Sequence, residues 1–266
     1  VTHIHQTASV DPAAELGEGV RVGAYAVIEA GAVIGDGCVI ANHATVSTGV
    51  TMGAENQVHP GAIIGGPPQD LKYNGEPPRL TIGDRNVFRE AVTVNRGTVQ
   101  GGGHTVIGSH NFLMACCHVA HDCRLDDGVV MSNGVLLAGH VVVEERAYLC
   151  GLAAAHQFTT IGRNAYVGGM TRIVHDVPPF MITEGNPQKV RGVNVVGLRR
   201  AGFDEATIEA LTEAYRTIWR TDDPYRQALA EAEQRTDNCA EVTYLLRFLK
   251  AMENGVKGRA REAHRT

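Results

Sequence analysis

The chain has 266 residues, 44% hydrophobic and 20% charged, with a net charge of −5. It is long enough for a large buried core and too acidic for a general nucleic-acid binder. No apolar run approaches the roughly 18 residues of a membrane span, and no basic-then-apolar leader opens the chain, so a soluble cytoplasmic protein is expected.

From Ile4 onward an aliphatic residue recurs every six positions: Ile4, Val10, Leu16, Val22, Ile28, Ile34, Ile40, Val46, Met52, Val58 and Ile64. After Ile82, Phe88 and Val94 the rhythm runs again from Ile107 to Ile173, and a small residue follows most anchors four places later. Period six fits neither a helix nor a simple strand. It fits a β-helix, in which three hexads close a triangular coil and coils stack about 4.8 Å apart. Glycines directly after anchors (Gly17, Gly23, Gly35, Gly53, Gly65) are expected to serve the corners. Two stretches break the rhythm and should loop out, residues 70–81 (DLKYNGEPPRLT) and 100–106 (QGGGHTV). The triple glycine is followed by neither a helix pattern nor Lys-Ser/Thr, so a flexible outward loop is favoured over a phosphate cradle. Among the six cysteines there is no CxxC pair, and Cys38, Cys117 and Cys123 take the small inward position. They read as reduced, buried thiols.

Past Val177 the pattern changes. Pro178-Pro179 ends the solenoid and Gly185-Asn-Pro187 forms a linker. Asp204 caps an expected helix with Ile208, Leu211, Tyr215, Ile218 and Trp219 on its apolar face, and residues 224–234 form a short one. A last helix carries Val242, Leu245, Leu246, Leu249 and Met252 and stops at Gly255, before an arginine-rich tail, residues 257–265, that should fray. The domains are therefore 1–186, a β-helix, and 187–266, helical.

Positions three hexads apart should stack. His121 then lies under Gly139 and Gln157, Asp122 under His140 and Phe158, and His156 one coil further. Three chemistries fit such histidines: a zinc site like that of β-helical carbonic anhydrases, a histidine general base, or polar decoration of an outer face. The missing side chain at Gly139 leaves room over His121 for a reacting group and bares an N–H for an oxyanion, which is acyl-transfer geometry. Of the possible nucleophiles Cys116, Cys117 and Cys123, two face the core, which disfavours a covalent cysteine route.

Several segments, taken together, resemble the bacterial UDP-N-acetylglucosamine O-acyltransferases that open lipid A biosynthesis: Gln69-Asp-Leu-Lys-Tyr73, Arg96-Gly-Thr-Val-Gln-Gly-Gly-Gly103, His118-Val-Ala-His-Asp-Cys123, Leu137-Ala-Gly-His140, His156-Gln-Phe158, Asp176-Val-Pro-Pro179 and Gly192-Val-Asn194. The resemblance spans nearly the whole chain. It implies an all-β, left-handed parallel β-helix, a hexapeptide-repeat solenoid, that trimerises with its site between subunits. It implies transfer of an (R)-3-hydroxyacyl group, carried on the phosphopantetheine of acyl carrier protein, to the glucosamine 3-hydroxyl of UDP-N-acetylglucosamine. Neither a metal nor a cofactor of its own is implied.

On this resemblance His121 is the general base, Asp122 tunes it, and the Gly139 N–H holds the oxyanion. Gln69, Asp70, Lys72, His118, His140, His156 and Gln157 contact the sugar nucleotide, and Asn194 and Arg200 reach its nucleotide end. Gly169 sets acyl length, with glycine matching long-chain members of about 12 to 16 carbons, each buried methylene contributing ~0.8 kcal/mol. Asn95, Val196 and Ala201 depart from the family pattern, which leaves the 3-amino analogue of the sugar as an alternative acceptor.

Overall fold

The computed structural model describes residues 1–235 and 238–264. Most of it is a triangular prism whose faces are sheets of 11, 9 and 8 strands, parallel except for the final strand Lys189–Val193. This is the left-handed parallel β-helix. Successive strands go to successive faces. One coil, for example, gives Phe112–Leu113 to the first face, His118–Val119 to the second and Arg124–Leu125 to the third. Val119, Leu137, Ala155 and Ile173, each separated from the next by three hexads, pair coil upon coil. These anchors are at most 5% exposed, each large one contributing about 1.5–3 kcal/mol by leaving water.

The corners repeat with the same period. The third residue after most anchors takes a left-handed backbone conformation, as at Gly19, Tyr25, Gly31, Gly37 and His43, and again from His110 to Met170. For a non-glycine residue this costs about 1–2 kcal/mol. Coil-to-coil bonds from those same corner amides, such as His43 to Ala24 and Arg146 to Asp127, offset it. Of the glycines placed at corners by the sequence, Gly65 is left-handed with φ of 86°, while Gly17, Gly23, Gly35 and Gly53 are not and do something else. A Cβ on Gly23 would lie 2.6 Å from the Asn42 nitrogen of the next coil, so these positions are small because the backbones nearly touch.

Two coils are longer than the rest. Met52 pairs with Ile82, and Ile82 with Ile107, where an unbroken coil spans only three hexads, so the surplus in each is looped out. Each surplus equals the length of the loop expected there, but the loops lie slightly earlier, at 67–78 and 97–103. Arg79–Ile82 and His104–Ile107 are already strand, with Leu80 and Thr105 buried. Hexad counting fixes how much chain is extra and cannot say which part.

Three buried asparagines bridge the interrupted coils from inside. Asn56 Oδ1 accepts from the Asn86 amide at 2.9 Å, Asn86 Oδ1 from the Asn111 amide at 2.9 Å, and Asn111 Oδ1 from the Val129 amide at 2.7 Å. Beyond Val177 a second apolar core begins at Phe180. The expected linker is a hairpin, Met181–Glu184 against Lys189–Val193, and residue 186 lies in its turn. Among the described residues four α-helices follow: α1 (Val195–Arg200), which the sequence reading missed, α2 (Glu205–Trp219), α3 (Tyr225–Gln234) and α4 (Ala240–Glu253). Asp204 caps α2 by accepting from the Thr207 amide at 2.7 Å, as expected. The arginine-rich tail is not frayed within the described residues. Val256 bridges Arg259, and Ala260–His264 forms a 3-10 turn; Arg265 lies outside the described residues.

Asn86→Ala should destabilise the protein by about 2 to 4 kcal/mol, because it opens a cavity and leaves the Asn111 amide and Gly108 carbonyl without this partner. A denaturant midpoint compared with the parent checks this.

Candidate active site

The corner between the second and third faces carries Asp122, His140 and Phe158 one above another, all left-handed with φ of 60°, 63° and 65°. The His140 amide donates to the His121 carbonyl at 3.0 Å and the Phe158 amide to the Gly139 carbonyl at 3.3 Å. At the bottom of the column the loop 97–103 interrupts the coil, and the Asp122 amide donates instead to Thr105 Oγ1 at 2.8 Å. The sequence rhythm thus stacks the residues, while the irregular loop gives the lowest one its surroundings.

Asp122 is the hub. Its side chain is 1% exposed, and Oδ2 lies 2.7 Å from His121 Nδ1 and 3.7 Å from His140 Nε2. The Thr98 amide donates to Oδ1 at 2.8 Å and the Thr98 hydroxyl to Oδ2 at 2.7 Å. A carboxylate held this way keeps the proton of His121 on Nδ1, so Nε2 is the basic nitrogen. That ring is 13% exposed and meets His140 edge-on at 5.3 Å, and His140 in turn stacks on Phe158 at 4.5 Å. The bareness of Gly139 works differently from expectation. A Cβ there would sit 2.6 Å from His121 Cε1, so the space over Gly139 is filled by the imidazole itself and not kept for a reacting group. The Gly139 N–H donates to no partner among the described residues and stays available.

Burial alone would raise the Asp122 pKa, but hydrogen bonds from His121 and Thr98 and the charge of His140 carry it below the ordinary aspartate value. Burial, with repulsion from His121, lowers the His118 pKa, so this ring acts as a neutral partner of the Thr93 hydroxyl at 2.7 Å. Burial pushes the thiols of Cys117 and Cys123 up to about 11 and about 12, which removes them as nucleophiles at neutral pH. His121, Asp122 and His140 lie within 4.8 Å of one another, a spacing that also suits a metal. Both oxygens of Asp122, however, already accept hydrogen bonds from Thr98.

A cleft of about 610 Å³ opens over this column, walled by Gln69, Asp70, Lys72, Thr98, Gln100, His121, His140, Gln157 and Phe158. Asp70 Oδ1 accepts from the Lys72 amide at 3.0 Å, closing its own turn. His118 and His156 are not among these walls; His156 Nδ1 lies 3.0 Å from the Gln157 carbonyl oxygen. Asn194 and Arg200 line a different cleft of about 820 Å³ with Arg146, Tyr148, Asn164 and Tyr166. Asn194 Oδ1 caps α1 at Gly197, while its Nδ2 donates to the Asn164 carbonyl. Gly169 lies at yet another corner, between the first and second faces, beside the exposed Met170. Within one chain these groups therefore occupy three different corners. Sequence reasoning missed Thr98, Thr105 and Gly101, where a Cβ would lie 2.1 Å from Asp122 Cγ. The expected flexible loop is in fact packed on the carboxylate through Gly101.

Comparison with known proteins fits this geometry. Residues 13–48 match a family model for bacterial transferase hexapeptides (six repeats), and residues 176–257 match Udp N-acetylglucosamine O-acyltransferase, domain 2. The fold and site thus define an acyltransferase of the hexapeptide class. An acyl-[acyl-carrier-protein]–UDP-N-acetylglucosamine O-acyltransferase of Sinorhizobium fredii is 40% identical over 248 residues, 93% of this chain and 92% of the relative. One from Anaeromyxobacter is 44% identical over 206 residues, 77% of this chain and 80% of the relative. The crystal structure of a UDP-N-acetylglucosamine acyltransferase from Bacteroides fragilis superposes with a TM-score of 0.89 at 35% identity, covering 93% of this chain and 96% of that one. The chain belongs to the UDP-N-acetylglucosamine O-acyltransferase family.

Because the folded Asp122 pKa lies below its unfolded value, its stabilisation is present above about pH 3.9 and lost as pH falls through the folded value. Asp122→Asn should flatten that acid-side loss in urea midpoints measured across pH. It should also slow acyl transfer at least about tenfold, since the ring loses its anchor.

Proposed function

We propose that this chain transfers an (R)-3-hydroxyacyl group from acyl carrier protein to the 3-hydroxyl of UDP-N-acetylglucosamine, the opening reaction of lipid A biosynthesis. The observation that carries the reading is the 2.7 Å contact between His121 Nδ1 and the buried Asp122, which leaves Nε2 basic beside the free Gly139 N–H. His121 Nε2 takes the proton of the sugar hydroxyl as its oxygen forms a bond to the thioester carbonyl carbon. The Gly139 N–H donates to the oxyanion, and Asp122 steadies the imidazolium. Collapse breaks the C–S bond, and the imidazolium returns the proton to the departing thiolate of the carrier's phosphopantetheine.

The active enzyme is a homotrimer on this reading. A triangular prism with catalytic, acyl-measuring and nucleotide groups at three corners cannot bring them together alone, and a three-fold assembly places unlike corners of neighbouring copies face to face. Gln69, Asp70, Lys72, His140 and Gln157 wall the sugar's side of the cleft. Asn194 and Arg200 then meet the nucleotide from another copy. Gly169 lets the acyl chain pass the corner where Leu152 and Met170 are 62% and 74% exposed. Six free cysteines accord with a cytoplasmic setting, and among the described residues no helix is long and apolar enough to cross a membrane. The protein needs no metal or cofactor of its own for this chemistry.

His121→Ala should lower kcat by about 10² to 10⁴ while light scattering still gives a trimer. Activity within tenfold of the parent would place the base elsewhere. Mass spectrometry of products from mixed acyl donors and both acceptors, the 3-hydroxy and 3-amino sugars, should show one O-linked product. In Gly169→Met the product should shift to shorter chains, because the added side chain closes the groove.

A further inference from the structure

The chain ends by returning to the catalytic corner. Val177 bridges Ile161, only 16 residues back, so Asp176 sits against Thr160 at the start of the third face, just past the corner that holds Asp122, His140 and Phe158. Its side chain joins two distant stretches, accepting from the Thr160 amide at 2.7 Å and from the Ala260 amide of the tail at 2.8 Å. Around it the tail is tied down further. The Asp176 amide donates to the Gly258 carbonyl at 2.8 Å, His175 Nδ1 lies 2.5 Å from the Lys257 carbonyl oxygen, and Arg259 Nη1 donates to the Val174 carbonyl at 2.7 Å. Arg259 is 6% exposed and also pairs with Glu262. A tail fixed this firmly carries Arg261 to the catalytic corner, where its guanidinium donates to the His140 carbonyl.

The His140 peptide is the structural link between the rings. Its amide donates to the His121 carbonyl, its φ of 63° is one that a non-glycine residue adopts at a cost, and its ring sits between Phe158 and the His121–Asp122 pair. A cation on the carbonyl of that peptide holds the corner from outside. We infer that Arg261 is a positioning residue for acyl transfer, holding the His140 peptide through a tail anchored at Asp176 and Arg259, so that His121 and Asp122 keep their productive geometry. The inference rests on the base assignment to His121 given above. Burial raises Asp176 to about 6 against the opposing pull of Ala260, Thr160, Arg261 and Arg259, so at neutral pH it still holds the tail as a carboxylate.

The test uses the full-length enzyme with Arg261→Ala and Arg261→Lys. Asn86→Ala serves as a destabilised control remote from the cleft. Arg261→Ala is expected to lower kcat roughly tenfold to a hundredfold, the size of effect that small misplacements of catalytic groups produce. KM for the UDP-sugar should stay within about threefold and the thermal midpoint should fall no further than in Asn86→Ala. Arg261→Lys should recover most of the rate, since a cation still reaches the carbonyl. The ¹⁵N resonances of the His140 ring should shift or broaden in Arg261→Ala and return in Arg261→Lys. An unchanged kcat in Arg261→Ala, an equal loss in Asn86→Ala, or a rise confined to KM would each overturn the inference. If His121→Ala stays active, the base assignment falls instead, and the His140 resonances still report whether the tail holds the corner.

Discussion

The molecule depends on the register of one hydrogen-bond ladder, in which each strand pairs with its counterpart three hexads further along the chain. Most of these strands are so short that they have almost no stability of their own. What sustains them is repetition: an apolar residue inside the hexads, a small one at the constriction, and at most corners a left-handed residue, many of whose amides reach the coil beneath. Corner strain is accepted many times over because most strained corners are also hydrogen-bonded to the neighbouring coil.

That register makes the active corner possible. Asp122, His140 and Phe158 come together because equal coils superpose them, and His121 lies against Gly139 for the same reason. Regular coils alone would leave Asp122 on an open edge in water, where a carboxylate orients a neighbouring ring weakly. The loop 97–103 converts this edge into a site. It brings Thr98 to both carboxylate oxygens and Gly101 against the carboxyl carbon, and burial then makes the Asp122–His121 bond strong enough to define the tautomer. The irregular segments are thus the specific ones, and the regular prism is the rigid frame that makes their placement reproducible.

The helical end continues this logic. The second core, from Phe180 to Leu249, closes the open end of the prism and directs the chain back along the catalytic column. Asp176 lies where prism and tail meet. A buried carboxylate bonded by two backbone amides and flanked by Arg259 and Arg261 is favourable only when all its partners are present, which couples the closing of the prism to the docking of the tail.

The architecture was legible in the sequence because a six-residue period is imposed by local geometry at every coil, so the anchors, the stacking of His121 under Gly139, and the lengths of both loops could be counted directly. Four of the five corner glycines misled, because a small residue can answer either to a left-handed backbone or to a close neighbour, and only the next coil distinguishes the two. Loop boundaries were misplaced because any frame preserving the anchors fits the pattern equally well. The role of Thr98, the hairpin around residue 186, the separation of Asn194 and Gly169 from the catalytic corner, and the return of Arg261 to His140 were invisible. Each is a contact between residues distant along the chain with no period to announce them. Local repetition determined the frame, and long-range packing alone decided what surrounds the imidazole.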